Sequence, residues 1–140
     1  MSNPRGVLLD THVWVRLQMV TRPLSSEALK AIQKAAGSRS VYVPVISAWE
    51  IAMLKLRRRL ELNMPAQQWV AEALDKPGIQ MLPLSPEIAI EAAELPEPMH
   101  KDPADRLIVA SALVEGLTLI TSDKAILAFA KKTGMDCIRA

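Results

Sequence analysis

The apolar run Val7-Leu8-Leu9 ends on an acid, Asp10, and passes at once into a helical spacing of apolar residues, Val13 and Leu17 with Trp14 and Val15 between them. A few consecutive apolar residues stopped by a polar one read as a short buried strand. The same unit recurs as Val41-Tyr42-Val43 before Pro44, as Ile79 to Leu82, and as Leu117 to Ile120, each followed by a helical pattern. Strands separated by helices cannot pair as tight hairpins; crossover connections make them parallel and cover both faces of the sheet. The expected fold class is therefore α/β, a three-layer α/β/α sandwich with a central parallel sheet.

The helices carry their own punctuation. Thr11 to Met19 ends before Pro23, and Ser25 or Ser26 caps a second helix that closes at Gly37. Ser47 to Leu56 follows Pro44, Pro65 suits the first turn of a helix through Leu74, and Ser85-Pro86-Glu87 opens another over Ile88 to Ala93. Asp102-Pro103 begins the longest apolar helix, Ala104 to Glu115, which Gly116 bounds. Lys124 to Thr133 closes the series at Gly134, and Cys137-Ile138 suits an edge strand. With 140 residues and no linker or repeat, residues 1–140 are expected to form one domain.

Half the residues are hydrophobic and 23% are charged, which excludes a disordered composition, and 4% aromatics predicts an aliphatic core. One cysteine, Cys137, excludes an intrachain disulfide, and with only His12 and His100 beside it no Cys/His zinc site is expected. Met1 to Gly6 lacks an apolar leader and no apolar run reaches the ~18 residues of a membrane span, so a cytoplasmic protein without membrane contact is expected. The net charge of +2 is compatible with an anionic partner without identifying one.

Four acids occupy equivalent places: Asp10 after the first strand, Glu50 in the first turn after Pro44, Asp105 in the first turn after Pro103, and Asp123 after the fourth strand. Each has a plainer reading as helix punctuation, with Ser47-Ala48-Trp49-Glu50 fitting a capping box and Asp102 an N-cap. In a parallel sheet, however, strand C-termini and helix N-termini share one edge, so all four are expected together. Two unit charges ~4 Å apart repel by ~4 kcal/mol at an effective dielectric of ~20, a penalty that a divalent cation removes. Acid-and-water ligands without histidine or thiolate suit Mg²⁺ or Mn²⁺, not Zn²⁺.

The segments LLDTHVW, PVISAWEIAMLKL, HKDPADRLIVASAL and LITSDKAI together resemble the PIN domain, and closely the VapC-type toxins of prokaryotic toxin–antitoxin pairs. The resemblance implies a PIN-like sandwich, metal-dependent cleavage of RNA, inhibition by a cognate antitoxin, and a homodimer. It assigns Asp10, Glu50, Asp105 and Asp123 as the catalytic, metal-holding acids, with Asp10 and Asp105 as direct ligands. Asp102, Thr121 and Ser122 would stand just behind them. The Arg57-Arg58-Arg59 run stands where relatives often have a glycine near the helix end. Lys55, Arg57, Arg58, Arg59 and Arg106 are the expected RNA contacts, against a reading as solvated charge. His12 reads as a surface histidine, His100 carries less signal still, and Trp14, Trp49 and Trp69 read as buried or interface packing residues rather than base-stacking platforms. Two other functions fit parts of the pattern: a catalytically silent RNA-binding scaffold, and a phosphotransfer or phosphatase domain with Asp10 as phosphoacceptor. The second is weakened because Asp10-Thr11-His12 has no acid two residues on.

Overall fold

A computed structural model describes residues 6–140; the expected absence of a leader over residues 1–5 lies outside the described residues. In chain order the elements are β1 (Val7–Leu9), α1 (Thr11–Met19), α2 (Ser26–Gly37), β2 (Val41–Pro44), α3 (Val45–Leu56) and α4 (Ala66–Leu74). They continue as β3 (Ile79–Leu82), α5 (Pro86–Glu94), α6 (Pro103–Glu115), β4 (Thr118–Thr121), α7 (Lys124–Thr133) and β5 (Cys137–Arg139). Every strand pairing is parallel and the spatial order is β3-β2-β1-β4-β5. From β1 the chain winds outward to β3, then returns to the other side of β1 for β4 and β5. Right-handed crossovers running in opposite directions place their helices on opposite faces, and the order reverses between β1 and β4. A crevice therefore opens beyond the C-terminal ends of those two strands.

The strand period divides the core. Val7, Leu9, Val41, Val43 and Ile120 face one layer with Trp14 of α1, Ile32 of α2, Ile51 of α3 and Trp69 of α4. Leu8 and Leu119 face the other, against Ile108 and Val109 of α6 and Ile126 and Phe129 of α7. Ala110 turns to Ile88 and Ala92 of α5, so α6 is covered by apolar contacts on both sides. The expected aliphatic core is qualified here. Trp14 and Phe129 are the largest fully buried side chains, and Trp14 meets Trp69 edge-on with centroids 5.0 Å apart. Of the three tryptophans Trp49 is not buried, being 55% exposed.

At Gly78 the sheet meets α2 closely, since a Cβ added there would lie 2.6 Å from the Ala36 carbonyl oxygen at φ +85°. Only glycine fits that approach.

The end of α3 replaces the expected glycine with strain. Arg58 takes φ +57°, the Arg59 amide donates to the Leu54 carbonyl at 2.8 Å, and the Arg58 amide donates to that of Lys55 at 3.0 Å. This is a Schellman ending with arginine at the left-handed position, where a Cβ costs about 1–2 kcal/mol. Part of that is offset by the greater freedom glycine has when unfolded, about 0.4–1 kcal/mol. The Arg58→Gly variant is accordingly expected to gain about 0.5–1 kcal/mol in urea unfolding. An unchanged or lowered midpoint would contradict this account of the turn.

Arg106 corrects an expectation. Its guanidinium donates to the carbonyls of Ala92 at 2.8 Å, Ala93 at 3.3 Å, Leu95 at 3.2 Å, Met99 at 3.4 Å and His100 at 3.1 Å. Those are the unpaired carbonyls at the end of α5 and in the turn leading to α6, so its donors hold backbone and are not left for RNA phosphate. Removing it strands several half-buried carbonyls. Arg106→Ala is expected to lose about 2–3 kcal/mol of unfolding free energy, and Arg106→Lys to recover only part of it because an ammonium lacks the fork.

Candidate active site

Three of the acids sit where they do because they cap helices. Asp10 Oδ1 accepts from the Val13 amide at 2.8 Å, Asp102 Oδ1 from Asp105 at 3.1 Å, and Asp123 Oδ1 from Ile126 at 2.9 Å. Each stops a strand or turn and starts a helix whose free N–H groups favour a carboxylate. The plain capping reading and the clustered reading are thus both correct for them. Parallel strands bring α1 and α7 to the same edge, and the approach to α6 meets them there.

Glu50 arrives differently. The helix begins at Val45 directly from β2, and its N-cap, Pro44, makes no side-chain capping bond, so the Ser47–Glu50 capping box does not form. Glu50 therefore lies in the second turn, not the first. Ser47 is fully buried, with its Oγ 2.8 Å from Thr11 Oγ1, and Thr11 Oγ1 donates to Glu50 Oε1. The physical reason is packing: with the helix started two residues early, Ser47 faces the first turn of α1 instead of its own helix terminus.

Asp10, Glu50, Asp102, Asp105, Ser122 and Asp123 line one cavity of about 480 Å³ beyond the β1/β4 edge. Thr121 lies behind it and joins two acids, donating its hydroxyl to Asp10 Oδ2 and accepting from the Asp123 amide at 3.0 Å. The Ser122 hydroxyl is turned to Arg16 rather than to a carboxylate, accepting from Nη1 at 2.7 Å. His12 lines the same cavity.

His100, passed over in the sequence, contacts the cluster most directly. Its Nε2 lies 3.2 Å from Asp105 Oδ2, and ligand atoms of His100, Asp105 and Asp123 fall within 4.8 Å of one another. Its Nδ1 accepts from the Asp102 amide at 3.3 Å, which leaves the ring proton on Nε2. His100 therefore donates to Asp105 and orients it, as groups behind a metal-holding carboxylate commonly do. The available signal was position alone, two residues before an N-cap acid.

Crowding sets the electrostatics. Burial raises the Asp10 carboxyl above its usual value, against hydrogen bonds from Thr121 and Val13 that lower it. Burial likewise raises Glu50, against the Thr11 hydrogen bond. Asp105 is pushed up to about 7 by burial first and then by Asp102 and Asp123. Carboxylates that resist ionisation together fit a cation, and the set expected to lack histidine has one beside it, His100 lying within ligand reach of Asp105 and Asp123.

The basic run stands to one side. Arg57 and Arg59 line a second, mainly apolar cavity of about 570 Å³ that shares Glu50 and Asp102 with the first and includes Trp49. Lys55 and Arg58 line neither.

Comparison with known proteins agrees with this architecture. Residues 7–133 match the family described as PIN domain. Ribonuclease VapC22 of Mycobacterium tuberculosis is 34% identical over 118 residues, 84% of this chain and 87% of that protein. In fold, the chain resembles VapBC2 from Rickettsia felis bound to a promoter DNA fragment, with a TM-score of 0.69 at 15% identity over 96% of this chain and 98% of that one. It also resembles a toxin–antitoxin complex from Klebsiella pneumoniae, with a TM-score of 0.63 at 21% identity over 95% and 96%.

A raised carboxyl has a definite sign in stability. Asp105 binds its proton up to about pH 7 when folded but releases it near 3.8 when unfolded, so the folded state holds more protons between those values and loses stability as pH rises through them. Asp10 and Glu50 shift in the same direction. Without divalent cations, the melting temperature is expected to fall from about pH 5 to about pH 8, and millimolar Mn²⁺ or Mg²⁺ to restore it at the higher pH. Asp105→Asn should flatten the fall; a profile equal to that of the unaltered protein would contradict the crowding described here.

Proposed function

The chain belongs to the PIN domain family, and on that footing we propose that it is a Mg²⁺- or Mn²⁺-dependent endoribonuclease, the toxin of a toxin–antitoxin pair. The observation that carries the reading is the convergence of Asp10, Glu50, Asp105 and Asp123 on one cavity, with burial and mutual repulsion holding Asp105 near neutrality. Neither Glu50 nor Asp105 caps a helix, so helix punctuation does not account for the set. The 34% identity to a named ribonuclease supports RNA as the substrate.

In this reading the four acids hold the cation, and Asp10 and Asp105 are its direct ligands. Thr121 and the Val13 amide fix both oxygens of Asp10, Thr11 fixes Glu50, His100 fixes Asp105 and the Ile126 amide fixes Asp123, so each carboxylate is oriented before substrate arrives. A bound divalent cation would supply the positive charge that acidifies an attacking water and offsets charge on the scissile phosphate. The α1 and α7 N-termini add a fixed positive field at the same edge. Arg57 and Arg59, beside the shared wall of Glu50 and Asp102, are in place to meet RNA backbone leaving the acid cavity. Lys55 and Arg58 would add only long-range attraction.

A protein antitoxin is the proposed partner, in keeping with the toxin–antitoxin assemblies whose fold this chain shares, and a homodimer is the proposed state. Among the described residues no helix is long and apolar enough to cross a membrane, in keeping with a proposed cytoplasmic site of action.

Asp10→Asn is the decisive variant, because asparagine caps a helix as well as aspartate and the fold should persist. Cleavage of RNA in Mg²⁺ or Mn²⁺ is expected to fall about 10²-fold or more, with an unchanged circular dichroism spectrum. Full activity in this variant would overturn the assignment.

A further inference from the structure

Two cations line the acid cavity, Arg16 and Arg22, and among the described residues neither has a carboxylate within ion-pair distance. Arg16, on α1, lines it together with Asp10, Glu50, Asp105 and Asp123. Yet the ion pair recorded among the described residues is His100 with Asp105, and Arg16 takes part in none. Its Nη1 donates to Ser122 Oγ at 2.7 Å and its Nη2 to the Pro23 carbonyl at 2.7 Å, while its buried Nε has no partner among the described residues. Two neutral acceptors thus hold a full positive charge still at the rim of an anionic pocket without neutralising it.

That arrangement is unusual for a stability device. An arginine that lines the same cavity as four acids yet bonds a serine and a carbonyl is not placed there by ion pairing. Its tether also has a meaning in the chain: Ser122 stands between Thr121, which fixes Asp10, and Asp123. The Ser122 bond ties the guanidinium to the segment that carries Thr121 and Asp123. Each Nη carries two hydrogens, and the recorded bonds take one from each.

We propose that Arg16 binds a phosphodiester of the RNA strand next to the scissile phosphate, through the guanidinium hydrogens that Ser122 and the Pro23 carbonyl leave free. The acids hold the reacting phosphate through their cation, and Arg16 sets the register of the strand across them. Ser122 acts as the positioning residue for Arg16, which gives its hydroxyl a role other than one beside the metal. The inference rests on the nuclease reading for its substrate, and on the geometry of Arg16 for its site.

The test measures equilibrium binding of an unstructured oligoribonucleotide by the full chain, with Ca²⁺ replacing Mg²⁺ to slow cleavage, as a function of salt. Each phosphate contact on a single strand contributes about 0.7 to the slope of log affinity against log salt. Arg16→Gln is expected to weaken binding about five- to tenfold near 0.1 M salt and to lower that slope by about 0.7. Lys131→Gln, in the last turn of α7, removes the same charge elsewhere and should leave both unchanged. Arg16→Gln should bind Mn²⁺ at least as tightly as the unaltered protein by calorimetry, because a nearby positive charge has gone, and a collapsed site would not give that.

Affinity and slope unchanged in Arg16→Gln would overturn the proposal, as would an equal effect of Lys131→Gln. If Arg16→Gln does not fold, Arg16→Lys carries the test: the slope should be kept and affinity reduced, because the charge remains and the fork does not. Wild-type affinity in Arg16→Lys would then overturn it. Failure of the unaltered protein to cleave any RNA in Mg²⁺ or Mn²⁺ would instead sink the nuclease reading, and the salt slope would still report on Arg16.

Discussion

Gathering carboxylates at one edge of a sheet is unfavourable twice over, first by removing each from water and then by setting each against the others. Here the compensation comes in layers. Helix N-termini donate amides to Asp10, Asp102 and Asp123, threonine hydroxyls donate to Asp10 and Glu50, and a histidine donates to Asp105. What these bonds leave unpaid appears in the raised carboxyls of Asp10, Glu50 and Asp105. The residual demand is for positive charge, and the remainder of the molecule can be understood as the frame that keeps this demand in one place.

The frame depends on the strand order. With β1 central and the winding direction reversed beside it, the ends of β1 and β4 open onto a crevice that neither set of crossover helices closes. Side chains alternate across these strands into two apolar layers, which fixes register, because a slip by one residue would exchange the layers. Fixed register in turn fixes Asp10 and Thr121 against each other. Arg106 serves the same end from a distance, binding the end of α5 and the turn before α6 through five carbonyls and so setting where Asp102 and Asp105 begin.

Most of the fold was legible because its signals are local. Apolar runs, proline and serine starts and glycine stops placed every strand and helix, generally to within a residue or two. Asp10, Asp105 and Asp123 were legible for the same reason, since each sits at a boundary that the pattern marks. Glu50 was legible as an acid of the site but not in its setting, because Ser47 mimics a capping box and only packing against Thr11 shows that the helix starts earlier. Arg106 misled because a basic residue beside an acid reads as a ligand-binding group, whereas its partners are carbonyls up to 14 residues away in sequence. His100 and Arg16 left no mark, their roles being set by residues from other elements.

The sequence by itself determined the class of fold, the parallel sense of the sheet and the edge on which the acids gather. Hydrophobic period, helix punctuation and residue type are properties of neighbours along the chain, and the edge follows from them without coordinates. Tertiary structure alone decided which polar groups meet: Thr121 with Asp10, Thr11 with Glu50, His100 with Asp105, and Arg16 with Ser122 across 106 positions of sequence. A hydrogen bond is formed within about 3 Å and at a set angle, a condition that composition and spacing cannot impose between distant segments and that packing of the two apolar layers can.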